Sequence, residues 1–234
     1  MRIEGSTICI TGGNKGLGAE IVKKVIDRAS RVFVIDRSEQ IFSHEKIAYI
    51  RMDLASEKPV GLPCVDILIS NLGKNIGPKT VEEMSDKDIK EMVEINIYTH
   101  LWFLKNIKFK KIVFISSVLA LIGLEKYSLY CASKAFLRIL NESIQREKVD
   151  SMIVYPYKID TPMFQEINDF CTLKAEKVAE CVIQGIETDK KELFIPYIFK
   201  IALVLKTILP SIIVDVILKL IVKFFYKKST LKID

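Results

Sequence analysis

The 234-residue chain is poor in the residues that build metal sites and disulfide frameworks: two histidines, one tryptophan and five cysteines. Cys9, Cys64, Cys131, Cys171 and Cys181 are odd in number, form no C-x-x-C pair and stand apart from His44 and His100. That spacing excludes a zinc cluster, so no metal is expected, and it reads as reduced, mostly buried thiols of the cytosol. The opening MRIEGSTICI enters an apolar strand at once and holds no signal-peptide core, so the body of the protein is expected to face the cytosol. A net charge of +6 comes without a basic stripe or interleaved aromatics, and nucleic acid is not an expected partner. Long charge-free runs are also missing from the C-terminal tail, where Thr207 to Val214 is the longest. A spanning helix needs about eighteen residues or more, so spanning is disfavoured.

What the chain does have is apolar bulk in an alternating order. Half of its residues are hydrophobic, and the mean hydropathy of +0.24 prompts a search for membrane contact. Val- and Ile-rich runs predict strands at Thr7–Ile10, Val32–Ile35, Ala48–Arg51, Ile67–Ser70, Lys111–Ile115, Met152–Tyr155 and Leu193–Ile195. Periodic segments between them predict helices near Gly16–Arg28, Asp86–Asn106, Tyr127–Glu147 and Ala175–Thr188. The expected fold class is α/β: one Rossmann-type, doubly wound parallel sheet of about seven strands, binding ligands at the carboxyl ends of its strands. Between Asp53 and Asp66 the chain is short and carries Pro59 and Pro63, so no full helix is expected there.

The first strand leads into TGGNKGLG, Thr11 to Gly18, and then into a helix. Glycines at 12, 16 and 18 permit close backbone approach, so the free N–H groups of the helix N-terminus can hold a pyrophosphate. Asp36 ends the second strand, where an acid can accept both hydroxyls of an adenosine ribose and repel a 2′-phosphate. Lys15 in the loop and Arg37 after the acid are two cations that plain surface charge also explains. Farther on, Tyr130 and Lys134 are four apart in YCASKAF and share a helix face, Ser117 ends the fifth strand in VFISS, and Asn96 lies in MVEINIYTHLW. A tyrosine of pKa ~10 is a poor proton donor near neutrality, but an ammonium ~5 Å away, at an effective dielectric of ~20, stabilises tyrosinate by ~3 kcal/mol.

Asn96, Ser117 and Tyr-x-x-x-Lys, following the wide glycine loop in that order, resemble the short-chain dehydrogenase/reductase family over about residues 7 to 196. The resemblance implies a catalytic tetrad in which Tyr130 is the acid/base, Lys134 lowers its pKa, Ser117 polarises a carbonyl and Asn96 holds a relay water. It implies cofactor contacts from Thr11, Gly12, Asn14, Lys15, Gly16, Leu17 and Gly18, and from Asp36, Arg37, Asp53 and Leu54. Asn71 and Gly73 match the family's N-N-A-G, whereas Ser70 and Leu72 depart from it. Tyr130 and Lys134 would also touch the cofactor, and Pro156, Ile159 and Thr161 match P-G-x-x-x-T, in which Tyr157 replaces the glycine. The implied cofactor is NAD(H) or NADP(H), and Asp36 tilts the choice to NAD.

The two parts of the chain are then a catalytic domain, residues 1–196, and a tail, residues 197–234. From Ser211 the tail reads as a helix with Asp215, Lys219, Lys223 and Lys227 on one stripe and apolar residues elsewhere. Tyr197 to Leu209 forms its partner across a Pro210 bend, and residues 197–228 are expected to lie on an anionic membrane surface. A core helix or homodimer interface is the alternative use of the tail. A short lid, Met163 to Leu173, carries Phe164 and Phe170 and leaves an apolar entrance. The resemblance implies a reductase interconverting a ketone and a secondary alcohol, and because such tails accompany lipid substrates in that family, it implies a hydrophobic, lipid-like substrate, with 3-ketosphinganine as the example. Its expected place is the cytosolic face of an intracellular membrane such as the endoplasmic reticulum or a lipid droplet. The alternative is a membrane-bound nucleotide-binding or scaffold protein that keeps the fold without turnover, a reading that Tyr157 and the shortened crossover favour and the complete tetrad opposes.

Overall fold

The computed structural model describes residues 1–161, 163, 172–210, 212–214 and 216. Seven strands, β1 (Thr7–Thr11), β2 (Arg31–Asp36), β3 (Ile47–Arg51), β4 (Val65–Ser70), β5 (Phe109–Ile115), β6 (Ser151–Pro156) and β7 (Glu192–Ile195), form one sheet in the order β3-β2-β1-β4-β5-β6-β7. Every neighbouring pair is parallel. Parallel pairing buries both faces of a sheet, which is why these strands read as continuous Val/Ile runs.

Side chains alternate between the two faces. Ile8 and Ile10, Val113 and Ile115, and Met152 and Val154 join one apolar core with α1 (Gly16–Val25) and α5 (Ala175–Glu187). Their neighbours Cys9, Ile112, Phe114, Ile153 and Tyr155 join the other, with α3 (Thr99–Asn106) and α4 (Ser128–Arg146). At the opposite end of the sheet from the strand carboxyl ends, the buried Lys111 Nζ donates to Asp150 Oδ1 and Asp189 Oδ1, each at 2.7 Å.

The order of strand addition reverses at β1, whose neighbours are β2 and β4, and the carboxyl ends there open a crevice. No helix forms between Arg51 and Val65, as the two prolines require. The segment expected as one helix over 86–106 is α2 (Asp86–Val93), a π-helical stretch at Glu94–Tyr98, and α3. Ser85 caps α2, its hydroxyl accepting from Asp88 N while Asp88 accepts from Ser85 N. A π stretch leaves one extra residue per turn and re-aims the side chains it carries, and Asn96 sits inside it.

After β7 the chain forms α6 (Ile198–Ile208), whose side chains are not buried. Ile212–Val214 and Val216 are also helical. The rest of the expected 211–228 helix and the lid positions 164–171 lie outside the described residues. Among the described residues, no helix is long and apolar enough to cross a membrane.

Candidate active site

The crevice is a cavity of about 390 Å³ running from the glycine loop to the start of α4. At its phosphate end the loop is closed by necessity. A Cβ on Gly18 would lie 2.0 Å from the Gly12 carbonyl oxygen, and Gly12 and Gly16 have φ of +65° and +54°. Lys15, the N-cap of α1, makes no side-chain cap, and the first turn carries no acid. The first-turn N–H groups therefore face the cavity with a positive dipole end and no anion of their own. Those features fit a pyrophosphate.

Gly12, Lys15, Gly16 and Leu17 line the cavity. Thr11, Asn14 and Gly18 stand behind it and hold the loop's shape. Thr11 Oγ1 accepts from Asn71 N and Leu72 N at 3.1 and 3.2 Å, and Asn71 Nδ2 donates to the Thr11 and Gly12 carbonyls. Asn14 is fully buried, its amide donating to Ser38 Oγ and the Glu39 carbonyl and accepting from Ile41 N.

Asp36, Arg37, Asp53 and Leu54 line the adjoining part of the cavity. The Asp36 carboxylate accepts from Asn14 N at 3.0 Å through Oδ2, and from Ser38 N and Oγ at 3.0 and 2.8 Å through Oδ1. It is thus fixed by three donors at the end of β2, with lone pairs left for further ones.

At the other end, Ser117 caps a 3₁₀ turn, Val118–Ala120, accepting from Leu119 N at 3.1 Å. Its hydroxyl also hydrogen-bonds Tyr130. Tyr130 and Lys134 share one face of α4, with Lys134 Nζ 5.7 Å from the Tyr130 ring centre and donating to the Ile115 carbonyl at 3.0 Å. Burial pushes the Tyr130 phenol up from its ordinary value, the nearby Cys131 adds to that, and the Ser117 bond opposes it. Burial also pulls Lys134 down to about 8. Against the lowering expected from the ammonium, the tyrosine pKa is raised, because enclosure disfavours its charged form.

Asn96 is fully buried and does not line the cavity. Its Oδ1 accepts from Lys74 N at 2.7 Å, and its Nδ2 donates to the Lys74 carbonyl and to Ser133 Oγ. This staples the loop after β4, where Gly73 passes so close to Lys134 that a Cβ would lie 3.2 Å from Nζ.

His100 is a member of the site that the motifs did not show. The imidazole is fully buried, with Nε2 3.1 Å from the Leu72 carbonyl and Nδ1 2.7 Å from Ser70 Oγ. A carbonyl only accepts, so Nε2 carries the proton, and the neutral ring accepts from the Ser70 hydroxyl through Nδ1. Burial first, then the Lys134 charge, pull its pKa down to about 3. The signal was present in the sequence: His100 follows Asn96 by four residues and so can share its face.

Pro156, Ile159 and Thr161 line the cavity with Tyr157. The loop turns back over the phosphate end, since a Cβ on Gly16 would lie 3.0 Å from Thr161 Cγ2. Tyr157 donates its N–H to the Ile195 carbonyl at 2.8 Å and stacks its ring on Phe199 of α6, with centroids 5.3 Å apart and planes 15° apart. Leu119, Leu124, Tyr127 and Met163 supply an apolar wall beside Tyr130.

The profile of the short chain dehydrogenase family matches residues 6–172. The chain is 25% identical over 240 residues to "Short-chain dehydrogenase/reductase 3" of Bos taurus, covering 87% of this chain and 79% of that protein. It is 25% identical over 214 residues to "3-dehydrosphinganine reductase" of Danio rerio, covering 77% of this chain and 64% of that protein. Among solved structures, a short chain dehydrogenase from Burkholderia cenocepacia in complex with NADP aligns with a TM-score of 0.70 at 21% identity, covering 83% of this chain and 89% of that one. The glycine loop, the sheet order and the Ser117, Tyr130 and Lys134 cluster thus have one explanation: the chain belongs to the short chain dehydrogenase family and is an NAD(P)-dependent oxidoreductase.

Proposed function

We propose that the protein reduces the ketone of a long-chain lipid to a secondary alcohol while seated on the cytosolic face of an intracellular membrane. The observation that carries this reading is the placement of the Tyr130 phenol, the Ser117 hydroxyl and the Lys134 ammonium at one end of a cavity walled by Leu119, Leu124, Tyr127 and Met163. The similarity to a 3-dehydrosphinganine reductase supports a ketone on a lipid backbone as the substrate.

A bound dinucleotide would supply the hydride. The first-turn N–H groups of α1 would hold its pyrophosphate, Asp36 the adenosine ribose, Lys134 the nicotinamide ribose, and Pro156, Ile159 and Thr161 its nicotinamide end. The Ser117 and Tyr130 hydroxyls converge where the substrate's carbonyl oxygen gains negative charge, and both donate to it. A pKa raised by burial keeps Tyr130 in its protonated form, the form a reduction needs. An alkoxide is far more basic than a phenolate, so the proton moves from Tyr130 to the substrate oxygen. Lys134 then offsets the charge left on the ring and, with a pKa near 8, exchanges its own proton around neutrality. Asn96 keeps the loop carrying Gly73 against Lys134 and so sets the ammonium's position.

Asp36 would favour NAD over NADP, because a carboxylate beside the adenosine ribose repels a 2′-phosphate. An Asp36→Ala variant is expected to move the NADH/NADPH preference toward NADPH; an unchanged preference overturns the ribose assignment. The reaction itself is tested by following NADH and NADPH oxidation by the full chain on liposomes carrying 3-ketosphinganine, with Tyr130→Phe as control. Turnover that vanishes in the control supports the reading. Tight nucleotide binding without turnover on this and other lipid ketones points to the non-catalytic alternative.

A further inference from the structure

α6 meets the body of the protein along one narrow stripe. Phe199, Leu203 and Lys206, at i, i+4 and i+7, face inward: the first two pack on the core beneath α3 and α4, and the Lys206 ammonium donates to the Leu121 carbonyl. The opposite arc carries Ile198, Ile201, Val204, Leu205 and Ile208, exposed at 59%, 47%, 52%, 49% and 73%. Five large apolar side chains on one arc are a docking face. Charge selects the occupant: α6 itself carries Lys200 and Lys206 and no acid, and the sequence of residues 197–234 holds seven lysines against two aspartates. A second copy of the chain would set like charges against each other, whereas an anionic lipid surface takes apolar side chains and offsets the lysines together.

The inward stripe reaches the active site. Phe199 does not line the cavity, but it stacks on Tyr157, which does, and Tyr157 lies in the loop that closes over the phosphate end. We infer that seating α6 on an anionic bilayer is transmitted through the Phe199–Tyr157 stack to the Pro156–Thr161 loop and tightens nucleotide binding. This rests on the lipid-surface reading above and adds the coupling to it. The two states are α6 seated on the body and α6 released from it. An isolated helix shorter than ~12 residues is marginal in water, and α6 has eleven residues, none of them buried. Lipid that binds the outer arc of the formed helix favours the seated state, and with it the stack. The tyrosine standing in place of the family's glycine gives the loop a ring with which to sense that seating.

The test pairs vesicle flotation with NADH fluorescence titration of the full chain, using phosphatidylcholine vesicles with and without phosphatidylserine. Wild type is expected to float with the phosphatidylserine vesicles and to bind NADH several-fold more tightly on them. Phe199→Ala is expected to float equally and to bind NADH normally without vesicles, which shows that it is folded, but to lose the vesicle-induced gain. Tyr157→Phe, which keeps the ring, retains the gain. A wild type that floats without any gain, or a Phe199→Ala variant that keeps it, overturns the coupling and leaves the lipid-surface reading standing. Failure of wild type to float overturns that reading, and the coupling falls with it.

Discussion

His100 ties together three features of the site that lie apart in the chain: Ser70 at the end of β4, the Leu72 carbonyl in the loop that follows, and the field of Lys134. Its folded pKa of about 3 lies below the ordinary imidazole value of 6.5, so in the window between them the unfolded chain binds a proton that the folded chain refuses. Stability therefore falls as pH drops through that window, by up to ~1.4 kcal/mol per pH unit. Urea midpoints at pH 7 and pH 5 should show wild type losing more stability than His100→Asn; parallel losses would mean that the ring is protonated in the fold. Neither the burial of His100 nor that of Lys134 is legible from sequence. Spacing placed Tyr130 beside Lys134, because a helix puts i and i+4 on one face. Which side of the tyrosine's ordinary pKa the pair would settle on depends on desolvation by β5 and the loop after β4, residues far away in the chain.

At the scale of elements, the glycine loop is the part whose reason is clearest. Gly18→Ala drives a methyl into the Gly12 carbonyl 2.0 Å away, and overpacking of this kind costs about 1–3 kcal/mol. The variant should lose measurable nucleotide binding, whereas Gly123→Ala, with nothing within 4 Å of its Cβ, should bind as wild type. Equal titrations for the two would remove the loop from the binding site. Strand positions and the βα order were legible because two-sided burial writes Val/Ile runs into the chain. The division of 86–106 into α2, the π stretch and α3 was not. The break that a π stretch makes in the apolar period is too short to stand out over a helix of this length, and the contacts of Asn96 with Lys74 and Ser133 show what the stretch positions. Asn14 shows the opposite case: a residue inside a recognised motif whose side chain serves the loop after β2 and not the cavity.

For the molecule as a whole, an excess of apolar residues that the core does not use is displayed on α6 and on Ile212, Ile213 and Val216. Binding through that face combined with lysines should weaken as salt screens the charges, over a Debye length of ~8 Å at physiological ionic strength. Flotation with anionic vesicles is expected to decline as NaCl rises without vanishing, since the apolar part is insensitive to screening. Complete release by salt would reduce the contact to electrostatics alone. The family and the α/β fold were legible from motifs whose spacing the chemistry demands. The stack between Tyr157 and Phe199 was not, because nothing in the sequence around residue 157 points forward to residue 199.

The central claim is hydride delivery to a lipid ketone with the proton supplied by Tyr130. It is tested most directly by incubating the full chain with 3-ketosphinganine liposomes and NADH or NADPH deuterated at the transferable position, then weighing the lipid product by mass spectrometry. The account predicts a secondary alcohol carrying one deuterium on its carbinol carbon, and none from the Tyr130→Phe protein. Nucleotide binding with unchanged ketone, or labelled alcohol formed equally by Tyr130→Phe, would contradict it.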